Sequence, residues 1–199
     1  MIIGVTNIKG GVGKTTSSLA IATAAQRSGL SVTVVDTDPQ GSATLWAQAA
    51  EDADDPLPFP VVSKNKDEIR RMRERRPDRD GELIVIDTPP NGAVVDEAIK
   101  TADFVVIPTL SSPIDLQQTM LTAAQCQDAG KDYAVLIVMA RKGTNALRAF
   151  RTAVEEYGAG IFDTEIPLRE DFKADFGHTF RSNLNGYEDV WNELRGELR

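Results

Sequence analysis

One cysteine, Cys126, stands in 199 residues. That excludes an internal disulfide framework and fits a reducing compartment. It falls in a helix-like stretch and reads as a small packing residue. No apolar run approaches the roughly 20 residues that cross a bilayer, and the amino terminus enters a strand-like segment at once. A cleaved signal peptide is therefore not expected, and a cytoplasmic location is. Positive charge is scarce too: 22 Lys and Arg against 30 Asp and Glu leave a net charge of −8. That argues against a generally adhesive nucleic-acid binder. The basic charge that exists is clustered. Ser63 to Arg79 holds eight basic residues (Lys64, Lys66, Arg70, Arg71, Arg73, Arg75, Arg76, Arg79) and four acidic ones. That segment is +4, and the remainder of the chain is −12.

The length suits one domain with a substantial core, and a single domain over 1–199 is expected. Short apolar, β-branched runs (Ile2–Thr6, Ser31–Val35, Leu83–Ile86, Phe104–Ile107, Ala134–Met139 and Ile161–Ile166) alternate with helix-like stretches. The helices are expected at 15–28, 41–50, 65–77, 92–100, 114–129, 144–157 and 187–198. The strands are continuously apolar, as strands covered on both faces must be. The pattern predicts an α/β fold: one doubly wound, mainly parallel sheet with helices on both faces. The acidic, Pro-rich stretch 51–60 is expected to be a mobile surface loop.

The most informative segment is Lys9-Gly10-Gly11-Val12-Gly13-Lys14-Thr15-Thr16, between the first strand and the first helix. Glycines there let successive N–H groups turn toward one anion, and the helix adds its positive end. Lys14 is placed to reach terminal phosphates and the Thr15 hydroxyl to ligate magnesium. Leu83-Ile84-Val85-Ile86-Asp87 is an apolar strand ending in a carboxylate, which can hold a magnesium-bound water opposite Thr15. Asp36-Thr37-Asp38-Pro39-Gln40 ends the second strand, and a carboxylate beside the γ-phosphate can orient an attacking water. The residue pattern alone does not rank Asp36 against Asp38. In open α/β sheets, ligands bind at the carboxyl ends of strands, where all three segments fall.

The usual phosphate loop carries glycine where this chain has Ile8, and a lysine, Lys9, stands beside it. This K-G-G-x-x-K-[ST] arrangement resembles the ParA/MinD/iron-protein group of deviant Walker A P-loop ATPases. The resemblance covers nearly the whole chain, most closely in the segments just quoted and loosely after residue 140. It implies ATP and magnesium as cofactors, with residues Lys9 to Thr16 holding the nucleotide. It further implies a homodimer formed on ATP binding, in which Lys9 reaches the partner subunit's nucleotide. Lys9, Lys14 and Asp38 are the implied catalytic residues, Asp38 orienting the water with a water-mediated share of the metal. Asp36 lies nearer Lys14 and the metal, and Asp87 holds the metal through water. Pro167 and Arg169, in Ile166-Pro167-Leu168-Arg169, lie beside the adenine. Arg141 and Lys142 are candidate nucleotide or DNA contacts.

Length places the chain with short ParA-type partition ATPases that lack an N-terminal helix-turn-helix domain. The resemblance then implies ATP-dependent, non-specific DNA binding, a nucleoid-associated location, and hydrolysis stimulated by a ParB-type adaptor. The cargo, whether plasmid, chromosome or protein cluster, stays open. DNA contacts fall either on 64–79 or on the later set Arg141, Lys142, Arg148, Arg151, Lys173 and Arg181. Segment 64–79 also reads as a solvated helix face laced with i,i+4 ion pairs. Other members fit less well. A nitrogenase-type iron protein needs two cluster cysteines. A MinD-type membrane ATPase needs a basic terminal helix, whereas Tyr187 to Arg195 is amphipathic and acidic. A tyrosine kinase would carry a tyrosine-rich tail, and the chain has three tyrosines. An ATP-dependent amide synthetase of the cobyrinate or dethiobiotin type remains the enzymatic alternative, with a MinD-like spatial regulator beside it.

Overall fold

The computed structural model describes residues 1–74, 81–169 and 175–197. Six strands form one parallel sheet: β1 (Ile2–Val5), β2 (Ser31–Asp36), β3 (Val61–Ser63), β4 (Glu82–Asp87), β5 (Phe104–Thr109) and β6 (Asp132–Ile137). Their spatial order is β3-β2-β4-β1-β5-β6, with every pair parallel. Seven helices are described: α1 (Lys14–Arg27), α2 (Ser42–Asp52), α3 (Lys66–Glu74), α4 (Ala93–Thr101), α5 (Pro113–Asp128), α6 (Asn145–Glu156) and α7 (Tyr187–Glu197).

The apolar runs are continuous because both faces of the sheet are covered. Alternate strand residues point to opposite faces. Ile3 and Val5, Val32 and Val34, Leu83 and Val85, Phe104 and Val106 all pack under α1, α2 and α7. The intervening positions serve the other face: Val105 and Ile107 meet α4 and α5, Val135 and Ile137 meet α6, and Val35 and Ile86 meet α3 and α4. Cys126 is fully buried in this second layer, and burial pushes its thiol up to about 12. Chain order places β4 and β5 on either side of β1. The loop after β1 therefore opens at mid-sheet, flanked by the carboxyl ends of both neighbours.

Two expectations are corrected. Segment Ile161–Ile166 is not a strand: it touches β6 through isolated bridges at Val135–Ile161 and Ala140–Pro167. Between them the backbone N–H groups of Asp163 and Thr164 turn to the Glu193 carboxylate of α7, at 2.8 and 3.0 Å, which interrupts the ladder. The stretch 51–60 is anchored rather than loose. Phe59 is buried, and Thr179 donates its N–H to Asp55 (3.0 Å) and its hydroxyl to the carbonyl oxygen of Pro56 (2.9 Å). The stretch then leads into β3, a short edge strand that the Pro-rich composition concealed. The helix expected over 65–77 is described as Lys66–Glu74; residues 75–77, with Arg75 and Arg76, and also Arg79 and Lys173, lie outside the described residues. Among the described residues, no helix is long and apolar enough to cross a membrane.

Candidate functional site

The Lys9–Thr16 loop bends through two left-handed glycines, Gly11 and Gly13, both at φ 75°. Side chains rarely adopt this conformation, so glycine is required here. A Cβ placed on Gly10 or Gly11 would meet nothing within 4 Å, which leaves open space over the loop backbone. Asn7 props the loop from below. Its Oδ1 accepts from the Lys9 N–H at 2.9 Å, and its Nδ2 donates to the Pro108 carbonyl at 2.9 Å. Lys14 opens α1 and is nearly buried. Its ammonium folds back onto the carbonyl oxygen of Lys9 at 2.9 Å, over its own loop. Burial lowers the Lys14 pKa, against the opposing fields of Asp87 and Asp38.

Asp87 ends β4 and faces the start of α1. Its carboxylate accepts the Thr15 hydroxyl at 2.8 Å and the Ser18 hydroxyl at 2.9 Å. Burial pushes its pKa up to about 7, in spite of those two hydrogen bonds. A deeply buried carboxylate beside a serine- and threonine-lined helix start fits a hydrated divalent cation. Among the described residues, no group of three or more His, Cys, Asp or Glu could hold a metal alone.

The two aspartates of the second segment separate clearly. Asp36 is buried, and it accepts from the Thr44 N–H (2.9 Å), the Thr44 hydroxyl (2.8 Å) and the Asp38 N–H (3.1 Å). It is engaged in holding the first turn of α2. Asp38 is half-buried. One of its oxygens accepts the Gln40 N–H at 2.8 Å, and its charge is felt at Lys14. The charge of Asp36 is felt at Asp87, and that of Asp38 at Lys14. Thr37 ties this segment to β4, donating its N–H (3.0 Å) and hydroxyl (2.7 Å) to the Asp87 carbonyl.

Lys9 turns away from its own loop and forms an ion pair with Asp115, at the start of α5. Asp115 is also half of a capping box with Ser112. Burial raises its pKa, but the hydrogen bonds from Lys9 and Ser112 outweigh this and hold it below the usual carboxylate range. Sequence reasoning missed Asp115. The Ser112-Pro113-x-Asp115 signature marks a helix start, but its meeting with Lys9 across 106 residues is a tertiary fact.

A mainly apolar pocket of about 80 Å³ adjoins the loop, lined by Gly13, Thr16, Val138, Met139, Ile166, Pro167, Leu168, Arg169 and Tyr187. Pro167 and Arg169 therefore line one pocket with Gly13 and Thr16. Behind it the Tyr187 hydroxyl shares a 2.8 Å hydrogen bond with Ser17, locking α7 to α1. Of the basic residues, Lys64 pairs with Glu68 (3.7 Å), Arg70 with Asp67 (3.2 Å) and Arg73 with Glu97 (2.9 Å). Arg151 pairs with Glu165 (3.3 Å) and Arg181 with Asp175 (3.8 Å).

Residues 3–179 match the model of the CobQ/CobB/MinD/ParA nucleotide binding domain. The chain is similar to maintenance of carboxysome distribution protein A of Halothiobacillus neapolitanus: 30% identity, covering 86% of this chain and 81% of that one. It is 26% identical to the protein ParA of Rhizobium radiobacter, over 99% and 90% of the two chains. The fold alone is shared with cobyrinic acid a,c-diamide synthase of Mycobacterium smegmatis with bound ADP and magnesium. There the TM-score is 0.74 at 18% identity, covering 99% of this chain and 94% of that one. With its phosphate loop at mid-sheet and a family match over most of its length, the chain belongs to the CobQ/CobB/MinD/ParA nucleotide-binding domain family.

Proposed function

We propose that the protein is a magnesium-dependent, dimerising ATPase that positions a cargo by cycling between ATP- and ADP-bound forms, the whole chain acting as one ATPase domain. The observation that carries this reading is the arrangement of Lys9 and Lys14. Lys14 folds back over its own loop, onto the Lys9 carbonyl, whereas the Lys9 ammonium reaches away to Asp115, from which a facing protomer's nucleotide can take it over. In this reading the backbone of Gly10 to Gly13 and the side chains of Lys14, Thr15 and Thr16 bind the phosphates. Pro167 and Arg169 flank the adenine, and Asp36 positions the segment that carries Asp38. Thr15, Asp87 and Asp38 would hold magnesium, the last two through water, and the ion would supply charge neutralisation between the phosphates. Asp38, with one carboxylate oxygen unengaged by the Gln40 bond, orients the attacking water.

The relatives named for carboxysome distribution and for ParA support a positioning role over amide synthesis, because the synthetase likeness rests on fold alone. The ATP-bound dimer binds duplex DNA without sequence preference on the nucleoid, in the cytoplasm. A ParB-type adaptor stimulates hydrolysis and so releases it. The cargo is a protein assembly or a DNA molecule, according to the adaptor.

The test is sedimentation with ATP, ADP and no nucleotide, alongside phosphate release. Wild type should dimerise with ATP alone. Lys9→Ala should bind ATP yet stay monomeric, and Asp38→Ala should dimerise and fail to hydrolyse. ATP-dependent dimers of Lys9→Ala, or normal turnover by Asp38→Ala, would overturn the assignments.

A further inference from the structure

We infer that Glu193 of α7 is a positioning residue for base recognition: with Arg151 of α6 it fixes the register of residues 161–168 and so places the Pro167 wall of the base pocket. The inference rests on the reading above that the adenine lies against Pro167 and Arg169. The segment departs from a regular strand between two anchor points on β6. Val135 donates its N–H to the Gly160 carbonyl (2.8 Å), and its own carbonyl accepts the Phe162 N–H (3.0 Å). The Ile137 carbonyl accepts the Ile166 N–H at 2.9 Å. Bonds in a parallel ladder are evenly spaced, so a step of two residues on one strand matches two on its neighbour. Here the step from 135 to 137 is matched by the step from 162 to 166. The excess chain between those anchors must bulge out of the ladder.

Side chains of two helices hold that bulge. The Glu193 carboxylate accepts the N–H groups of Asp163 (2.8 Å) and Thr164 (3.0 Å). Arg151 donates to the Phe162 carbonyl (3.0 Å) and to the Glu165 carboxylate (3.3 Å). Packing alone does not set this path, because a cleft of about 380 Å³ borders Gly160, Ile161, Phe162 and Asp163. Beyond the bulge, Ala140 donates to the Ile166 carbonyl (2.9 Å) and accepts from Leu168 (3.1 Å). So short a ladder specifies register weakly, and a slip of one residue exchanges the faces its side chains present. Ile166, Pro167 and Leu168 all line the base pocket, so the slip would rebuild its wall. Helix α7 supplies a second wall. Tyr187, its first residue, lines the same pocket and is locked to Ser17 of α1 at 2.8 Å. Gly186, at φ 108°, lies so close that a Cβ there would come 3.3 Å from Ile166 Cδ1 and 3.4 Å from Thr164 Cγ2. Tyr187 and Glu193 stand roughly 9 Å apart along the helix axis. One helix therefore carries one wall and sets the position of the other.

Calorimetric titration of the full chain with ADP, GDP or pyrophosphate, each with magnesium, tests the inference. Pyrophosphate reports on the phosphate loop without a base. Wild type is compared with Glu193→Ala, Glu193→Gln and Arg151→Gln. A hydrogen bond to a charged group is worth roughly tenfold or more in an equilibrium constant. Glu193→Ala should therefore weaken ADP on the order of tenfold, narrow the preference for ADP over GDP, and leave pyrophosphate binding unchanged. Glu193→Gln keeps one acceptor oxygen and should fall between Glu193→Ala and wild type. Arg151→Gln should shift the ADP-to-pyrophosphate ratio in the same direction. Should Glu193→Ala melt below the assay temperature, the two milder variants decide. Equal losses of ADP and pyrophosphate would mark a general loss of structure and overturn the assignment. Unchanged ADP affinity and ADP-to-GDP preference in the Glu193 variants would overturn it as well. Wild type that binds ADP no more tightly than pyrophosphate would overturn the base-pocket reading itself.

Discussion

At the scale of single residues, Asp87 has the most distinctive chemistry. Its buried carboxyl titrates near 7 without a cation, against the usual 3.8 of an unfolded chain. The folded state thus holds a proton that the unfolded state has released. Stability from this group is full below about pH 4 and falls as pH rises through about 7, by on the order of 4 kcal/mol. Thermal melts of the metal-free protein should show Tm declining over that window, and Asp87→Asn should flatten the decline. Magnesium with ADP at pH 8 should raise the Tm of wild type much more than that of Asp87→Asn. Equal shifts would remove Asp87 from the metal site. Lys14 is less ambiguous from sequence, since its spacing to Thr15 and the glycines names its task. Asp36 and Asp38 were not separable in that way. Both end an apolar strand, and only the side-chain partners, Thr44 for one and the field at Lys14 for the other, tell them apart.

At the scale of elements, α5 links the loop to the rest of the molecule. Ser112 and Asp115 close its first turn with a capping box, and Pro113 presets it. Asp115 does double duty by also retaining Lys9. Asp115→Asn keeps an acceptor but removes the ion pair. We expect ATP-dependent dimerisation at lower protein concentration, because less attraction must be broken before Lys9 can move, together with about 1 kcal/mol lost from the cap. Sedimentation at a series of concentrations and urea melts check both. A weaker dimer would mean that Asp115 positions Lys9 productively. Helix and strand types were legible from periodicity, but two features were not. The strand Val61–Ser63 is too short and too close to Pro60 to announce itself. Segment 161–166 has strand composition, but Glu193 competes for its backbone N–H groups.

At the scale of the whole molecule, α7 closes the fold over the nucleotide side. Tyr187, Val190, Trp191 and Leu194 are buried against the core shared with α1, so the amphipathic face is used internally. Each such side chain contributes roughly 1.5–3 kcal/mol, a sum comparable to the whole stability of a domain, about 5–15 kcal/mol. Trp191→Ala should cost about 3–5 kcal/mol in urea denaturation. Tyr187→Phe should cost only about 1 kcal/mol, by stranding the Ser17 hydroxyl. A neutral Trp191→Ala would show that α7 is peripheral.

The sequence by itself determined the phosphate loop, the parallel α/β class and the roles open to Lys14, Thr15 and Asp87. These depend on local spacing and on strand ends, which a linear pattern records. Tertiary structure alone decided that Lys9 rests on Asp115, that Thr44 engages Asp36 while the charge of Asp38 is felt at Lys14, that Pro167 and Arg169 line one pocket with Gly13, and which basic residues of α3 meet carboxylates. Each of these is a meeting of side chains far apart in the chain or a competition among nearby partners. Charge, burial and hydrogen bonding resolve it only once the sheet brings them together.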